Sequence, residues 1–94
     1  MKRGFVYILA SNLDGVLYIG ATNNLKRRIE EHRSGAIESF TKRHGVYRCV
    51  YFEEYERITD ALEREKQLKH WKRGWKINLF KEQNPEWRDL SEDL

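Results

Sequence analysis

The sequence predicts a small α+β domain in which helices pack on a three-stranded sheet. Two short runs rich in β-branched and aromatic residues flank a turn-forming segment, and a third such run lies near the middle of the chain. Segments with the helical spacing of apolar residues follow the second and third runs. Because 94 residues suffice for one domain with a modest core, the order β-β-α-β-α-α with short connections indicates a single α+β unit.

The first two strands are predicted to form a hairpin. Residues 5–10 (FVYILA) and 16–20 (VLYIG) have the composition of strands, and the SNLDG segment between them consists largely of turn formers. Tyr7 and Tyr18 become cross-strand neighbours if the loop has about four residues. A slip of one residue would send the two rings to opposite faces of the sheet.

The first predicted helix has polar residues on its inward face. Asn23 or Asn24 caps it, and it extends to about Arg33. Burying an unpaired charge costs several kcal/mol, so a cationic side chain on the inward face of this helix requires an explanation. The stripe, at the i, i+3, i+4 and i+7 positions of one face, consists of Leu25, Arg28, Ile29 and His32.

The second half of the chain is predicted to contain one strand and two helices. A glycine-bounded basic loop over 34–45 precedes a third strand over 46–55. A second helix is predicted from the N-cap Thr59 to Gly74, and a short third helix follows over 75–83.

Glu65 lies on the apolar stripe of the second helix. The pattern leaves two interpretations open. Arg28 and Glu65 form a structural ion pair, or a cleft keeps both side chains hydrated for use in a functional site. His32, taken alone, is ordinarily a solvated or hydrogen-bonded histidine at a helix end.

The net charge of +3 is unevenly distributed. Five acidic residues and one basic residue leave −4 over 82–94, and 17 basic and 10 acidic residues leave +7 over 1–81. A positive body of this kind favours a polyanionic partner such as nucleic acid.

The single cysteine and the apolar runs indicate a cytoplasmic protein. Cys49 has no internal disulfide partner, and its position within YRCVYF predicts a small buried strand residue in a reducing compartment. The apolar run of residues 5–10 is shorter than the core of a signal peptide, and no segment has the length of a membrane span.

Five elements of the sequence together resemble the GIY-YIG nuclease family, in particular its small single-domain bacterial branch. The resemblance covers most of the chain and depends on several motifs with suitable mutual spacing. These elements are VYI at 6–8, YIG at 18–20, Arg28, His32 and Glu65.

The resemblance implies a three-stranded antiparallel sheet flanked by helices that cleaves phosphodiester bonds with one divalent metal ion, Mg²⁺ or Mn²⁺. It implies that Tyr7 and Tyr18 are the motif tyrosines, that Arg28 is the essential arginine and that Glu65 is the metal ligand. His32 is then positioned to relay a proton or bind the scissile phosphate. Either tyrosine is a plausible base if a neighbouring cation lowers its pKa.

A basic strip with interleaved aromatic residues follows Glu65 in the sequence. Such a composition suits phosphate contact combined with base stacking, although Trp71 and Trp75 are expected to belong to the core of so small a domain. The candidate phosphate-binding residues are Lys69 and Arg73 in this strip and Lys42 and Arg43 in the middle loop.

These observations predict a metal-dependent endonuclease acting on nucleic acid, with DNA as the expected substrate and DNA repair or recombination as the setting. Residues 1–81 are expected to form the catalytic domain, and the acidic tail 82–94 is expected to belong to the same single domain. A specificity-giving protein partner is compatible with this prediction, and no membrane is involved. The alternatives are a catalytically weak or inactive nucleic-acid-binding module on the same scaffold, or an interaction domain that uses the acidic tail.

Overall fold

The computed structural model describes residues 3–34 and 43–94, and it confirms the predicted α+β fold. Among the helices of these two segments, none is long and apolar enough to cross a membrane. The elements are β1 (Gly4–Ala10), β2 (Leu17–Thr22), α1 (Leu25–Ser34), β3 (Arg48–Tyr55), α2 (Ile58–Lys69), α3 (Arg73–Asn78) and a short 3₁₀ helix (Leu90–Asp93).

Within the described residues, the three strands form an antiparallel sheet with β1 at its centre, in the order β2-β1-β3. Tyr7 pairs with Gly20, and Leu9 pairs with Tyr18. The expected four-residue hairpin loop is wrong, because six residues separate Ala10 from its partner in β2, Leu17. Since the register differs from the expected one by two residues, an even number, both tyrosines still face the same side of the sheet.

Alternation along β1 divides the core between the two faces of the sheet. On one face, α2 and the C-terminal segment pack over one apolar cluster, and on the other face α1 packs over a second cluster. The first cluster includes Val6, Ile8, Ala61, Leu68, Phe80 and Trp87, and the second includes Tyr7, Leu9, Leu25, Ile29, Val46 and Cys49.

The second helix is shorter than the sequence predicted. It begins after Arg57, whose side chain makes no capping hydrogen bond, so the predicted N-cap Thr59 is wrong. It also ends at Lys69 instead of Gly74, because the backbone N–H of Trp71 bonds to Leu68 three residues earlier and tightens the last turn. A separate helix, α3, then begins at Arg73 and contains Gly74.

The C-terminal segment packs against β3. The amide of the buried Asn84 donates to the carbonyl oxygen of Val50, at 3.2 Å, and to that of Arg88, at 2.8 Å. The carboxylate of Asp89 accepts the backbone N–H of Cys49 at 3.1 Å. Cys49 itself is a fully buried free cysteine in β3, as expected.

Candidate active site

Three aromatic side chains meet between the sheet and α1. The Tyr7 hydroxyl lies 3.1 Å from Nε2 of His32, and both residues are only 1% exposed. The ring centroid of Tyr18 lies 6.4 Å from that of Tyr7 and 5.5 Å from that of His32. The arrangement follows from the register, which places the two tyrosines diagonally across β1 and β2, and from the helical period, which turns His32 towards them.

Gly20 makes room for this cluster. It pairs with Tyr7 across the strands, and a Cβ at position 20 would lie 2.4 Å from both Cζ and the hydroxyl of Tyr7. Real side chains do not approach so closely, so any residue larger than glycine would displace the tyrosine ring. The glycine of the YIG motif is therefore a packing requirement of the tyrosine on the neighbouring strand.

Arg28 lies one helical turn before His32 and is half-buried. Its guanidinium acts on the Tyr7 hydroxyl, and this interaction is the main reason that the pKa of Arg28 is raised. One terminal nitrogen lies 3.6 Å from Glu31. Nε is buried and has no hydrogen-bond partner within residues 3–34 and 43–94, a costly arrangement for a cationic donor.

Burial controls the protonation of the Tyr7–His32 pair. It raises the pKa of Tyr7 to about 12, although the neighbouring Arg28 acts in the opposite direction. Burial, assisted by the charge of Arg28, lowers the pKa of His32 below its usual 6.5. The expectation of a cation-lowered pKa is therefore wrong for Tyr7, and at neutral pH both members of the pair are uncharged.

Glu65 lies on α2, which packs against β1 and β2 on the face of the sheet opposite to α1. Its side chain is 18% exposed, and Oε2 lies 3.2 Å from Nζ of Lys69. The carboxylate is near enough to contribute to the raised pKa of Tyr7. Among the described contacts, Glu65 pairs with Lys69 and Arg28 pairs with Glu31, so the two do not form the structural ion pair that the sequence left open.

The structure brings Tyr7, Tyr18, Arg28 and His32 together on the α1 face of the sheet. Glu65 lies on α2, and its described link to this group is the effect of its charge on Tyr7. Within the described segments, no three His, Cys, Asp or Glu side chains are grouped as a metal site. Magnesium commonly binds one or two carboxylates and completes its shell with water and substrate phosphate, and the half-buried carboxylate of Glu65 fits that pattern.

The predicted phosphate-binding residues have different environments. Lys69 is exposed and paired with Glu65, and Arg43 is exposed. Arg73 donates to the carbonyl oxygens of Asp14 and Gly15, at 3.1 and 2.6 Å, and so fastens α3 to the connection between β1 and β2. Lys42 lies outside the described residues.

The two tryptophans of the basic strip also differ. Trp71 is half-buried and packs against the core beneath α2. Trp75 is 54% exposed, so the expectation that it belongs to the core is wrong. Trp75 belongs to the separate short helix α3, which the predicted continuous helix did not anticipate.

A polar network that sequence reasoning missed holds α2 against β3. Arg64 donates to Glu53 through Nε, at 3.0 Å, and through a terminal nitrogen, at 3.2 Å. The hydroxyls of Tyr51 and Tyr55 donate to the same carboxylate. The signal in the sequence was the period-two spacing of these three residues in β3. Because Arg64 and Glu65 are consecutive residues of α2, the network also fixes the backbone that carries Glu65.

Comparisons with known proteins show the family and the fold of this chain. The profile of the GIY-YIG catalytic domain matches residues 3–78. A UPF0213 protein of Syntrophus aciditrophicus is 38% identical over 87 residues, which cover 92% of this chain and 98% of the relative. A UPF0213 protein of Clostridium perfringens is 40% identical over 76 residues, or 81% of each chain. The solution NMR structure of a UPF0213 protein from Bacillus halodurans superimposes with a TM-score of 0.55 at 29% identity, and the match covers 96% of this chain and 95% of that one.

Proposed function

Because this chain belongs to the GIY-YIG catalytic domain family, a family of nucleic-acid endonucleases, we propose that it hydrolyses phosphodiester bonds with the help of a divalent metal ion. The observation that carries the proposal is the meeting of Arg28, His32 and two tyrosines on one side of the sheet, with Glu65 near enough to act on Tyr7.

Arg28 supplies positive charge where the reaction develops negative charge. Attack of water on a phosphodiester adds charge to the phosphoryl oxygens, and preorganised donors that face these oxygens lower the barrier. The guanidinium is planar and permanently charged. The Arg28 side chain is 37% exposed, which supports a role in which its terminal nitrogens contact the substrate phosphate.

The two tyrosines have different roles in this proposal. Tyr7 is buried, protonated and within hydrogen-bonding distance of His32, so it joins α1 to the sheet at the site. Tyr18 is half-buried, and its hydroxyl is therefore the phenol that a substrate water reaches more readily. We assign to Tyr18 the orientation of the attacking water, which releases its proton to the solvent, and to Tyr7 and His32 the positioning of the Tyr18 ring.

Glu65 would hold the metal ion, Mg²⁺ or Mn²⁺. When bound, such an ion stabilises the charge that develops on the leaving oxygen. In the free protein Lys69 partly neutralises the same carboxylate, at 3.2 Å. A single carboxylate predicts weak metal binding that tightens when the nucleic acid is present.

The remaining parts of the proposal concern the substrate and the setting. The net charge of +7 over 1–81, which 17 basic and 10 acidic residues produce, supports nucleic acid as the substrate, and we propose DNA and a role in DNA repair or recombination. The buried free Cys49 supports a reducing, cytoplasmic location. We also propose that a protein partner confers selectivity for the substrate.

The test compares wild type with Glu65→Gln. Single-stranded, duplex and branched DNA and RNA are incubated with each protein, with and without Mn²⁺, and binding is measured separately. We expect Glu65→Gln to retain binding and to lose hydrolysis, while Glu63→Gln, an exposed position on the same helix, retains both. Equal products from wild type and Glu65→Gln would refute the assignment, and wild-type binding without hydrolysis would favour the non-catalytic binding module.

A further inference from the structure

Trp75 is a large apolar side chain that the fold leaves in solvent. It is 54% exposed on α3, and its ring meets that of Trp71 edge to face with the centroids 6.1 Å apart. The guanidinium of Arg64 lies 5.1 Å from the ring centroid of Trp71 and is held by Glu53 of β3. Trp75 is therefore the outermost member of a stack whose inner members are fixed in the fold.

The segment of the chain that contains Trp75 has basic residues and no acidic ones. Residues 66–81 contain six lysines and arginines and no aspartate or glutamate. Lys72 is exposed immediately before α3, and Lys76 follows Trp75 within the helix. Lys72 is three positions before Trp75, a spacing that brings side chains together on a helix, and Lys76 is the next residue along the chain.

Two contacts make this surface rigid relative to the candidate active site. Arg73 bonds to the carbonyl oxygens of Asp14 and Gly15 in the connection between the strands that carry the two tyrosines. Its guanidinium also lies 5.9 Å from the ring centroid of the buried Trp87. The stack is consequently held to the same hairpin as the catalytic phenols.

The positive charge around Trp75 indicates which class of molecule binds to this surface. A second copy of the chain would bring two positive surfaces together, which like-charge repulsion opposes. A polyanion with flat apolar groups complements both features, because base stacking on an aromatic side chain and phosphate contact with lysine are the two components of single-strand binding.

We propose that Trp75 is a stacking platform for an unpaired base, and that Lys72 and Lys76 contact the adjoining phosphates. This inference rests on the proposed function for the identity of the nucleic acid and deepens it by specifying that the substrate contains single-stranded nucleotides. Bases inside a duplex are already stacked on one another and present only their edges in the grooves, so an indole face distinguishes unpaired from paired strands.

The experiment measures the binding of a labelled oligothymidylate and of a duplex of equal length to metal-free protein. We expect Trp75→Ala to weaken oligothymidylate binding by about 5-fold or more and to leave duplex binding within about 2-fold. Trp75→Phe, which keeps an aromatic face, should restore most of the single-strand affinity. Unchanged oligothymidylate binding in Trp75→Ala, or an equal loss on both probes, would overturn the inference.

Three controls separate this inference from its rivals. The urea midpoint of Trp75→Ala should equal that of wild type. If Trp75→Ala is less stable, the oligothymidylate affinity of Trp75→Phe, at a stability equal to that of wild type, tests the inference instead. Sedimentation identifies a second copy as the occupant if Trp75→Ala abolishes a dimer without changing affinity, and that result overturns the inference. Wild-type protein that binds oligothymidylate through Trp75 but hydrolyses nothing refutes the proposed function and supports the platform. If Trp75→Ala hydrolyses DNA as wild type does and its oligothymidylate affinity is unchanged, the result supports the proposed function and refutes the stacking platform.

Discussion

The hydroxyl of Tyr7 lies 3.1 Å from Nε2 of His32 and joins the central strand of the sheet to the inner face of α1. Burial keeps both groups uncharged at neutral pH, since it raises the pKa of Tyr7 to about 12 and lowers that of His32. The fixed positive charge of the cluster therefore comes from Arg28.

His32 should make the stability of the protein depend on pH. Its pKa is lowered in the folded state by burial and by Arg28, so the unfolded chain binds more protons below pH 6.5. The free energy of unfolding should fall as the pH decreases through that range, with a slope from this group of at most about 1.4 kcal/mol per pH unit. Urea titrations between about pH 7.5 and 5.5 should show that His32→Gln loses this slope, whereas His70→Gln, at an exposed position, retains it. An identical slope in His32→Gln would contradict the account.

Gly20→Ala should destabilise the protein and disturb the site. The added Cβ would lie 2.4 Å from the Tyr7 hydroxyl, and overpacking of this kind costs about 1–3 kcal/mol. Gly74→Ala is the matched control, because a Cβ there meets nothing within 4 Å and alanine favours the helix by about 0.5–1 kcal/mol. Urea denaturation midpoints should move in opposite directions. A Gly20→Ala protein as stable as wild type would mean that the ring of Tyr7 does not pack on Gly20 of β2.

Glu53→Gln should loosen the attachment of α2 to the sheet. Burial alone would raise the pKa of Glu53, but hydrogen bonds from Arg64 and two tyrosine hydroxyls outweigh it and the pKa lies below its usual 4.5. The ionised carboxylate thus stabilises the fold above about pH 4.5, and the contribution is lost as the pH falls through the lowered pKa. We expect a loss of about 1–3 kcal/mol at pH 7 that shrinks towards pH 3. A difference between the proteins that is independent of pH would be inconsistent with this network.

Trp87→Ala should show whether residues 82–94 belong to the same folded unit as 1–81, as we propose. The indole is 2% exposed, and its centroid lies 5.2 Å from that of Phe80. Truncation of a buried tryptophan costs about 3–5 kcal/mol. Trp75→Ala, at an exposed position, should change stability by less than about 0.5 kcal/mol. Similar midpoints for the two variants would show that the C-terminal segment is dispensable.

The fold was predictable because its determinants are local. Period-two and helical patterns placed the strands and α1, and the side chain of Asn24 accepts the N–H of Arg27 at 3.1 Å, as one of the two proposed caps. The end of α2 was not predictable from residues 69–76, which are compatible with a continuing helix. Its break follows from the packing of Trp71 on the core, a tertiary effect.

The inward position of Arg28 and His32 followed from the helical period, whereas their assignment to a catalytic site came from the resemblance to the GIY-YIG family. The raised pKa of Tyr7 did not follow from the sequence, because it depends on how completely α1 covers the ring. The partners of Arg73 were equally invisible, since the carbonyl groups of Asp14 and Gly15 are distant in sequence and backbone atoms leave no pattern. Long-range contacts thus decided which basic residues remain available to a substrate.

Replacement of Arg28 tests the central claim most directly, because its inward position is explained by the proposed chemistry. Arg27 is the matched control, an exposed arginine one position earlier on α1. Single-turnover hydrolysis of saturating DNA with Mn²⁺ should be slowed by about 100-fold or more in Arg28→Ala and be close to wild type in Arg27→Ala. Equal rate constants for the two variants would contradict the account.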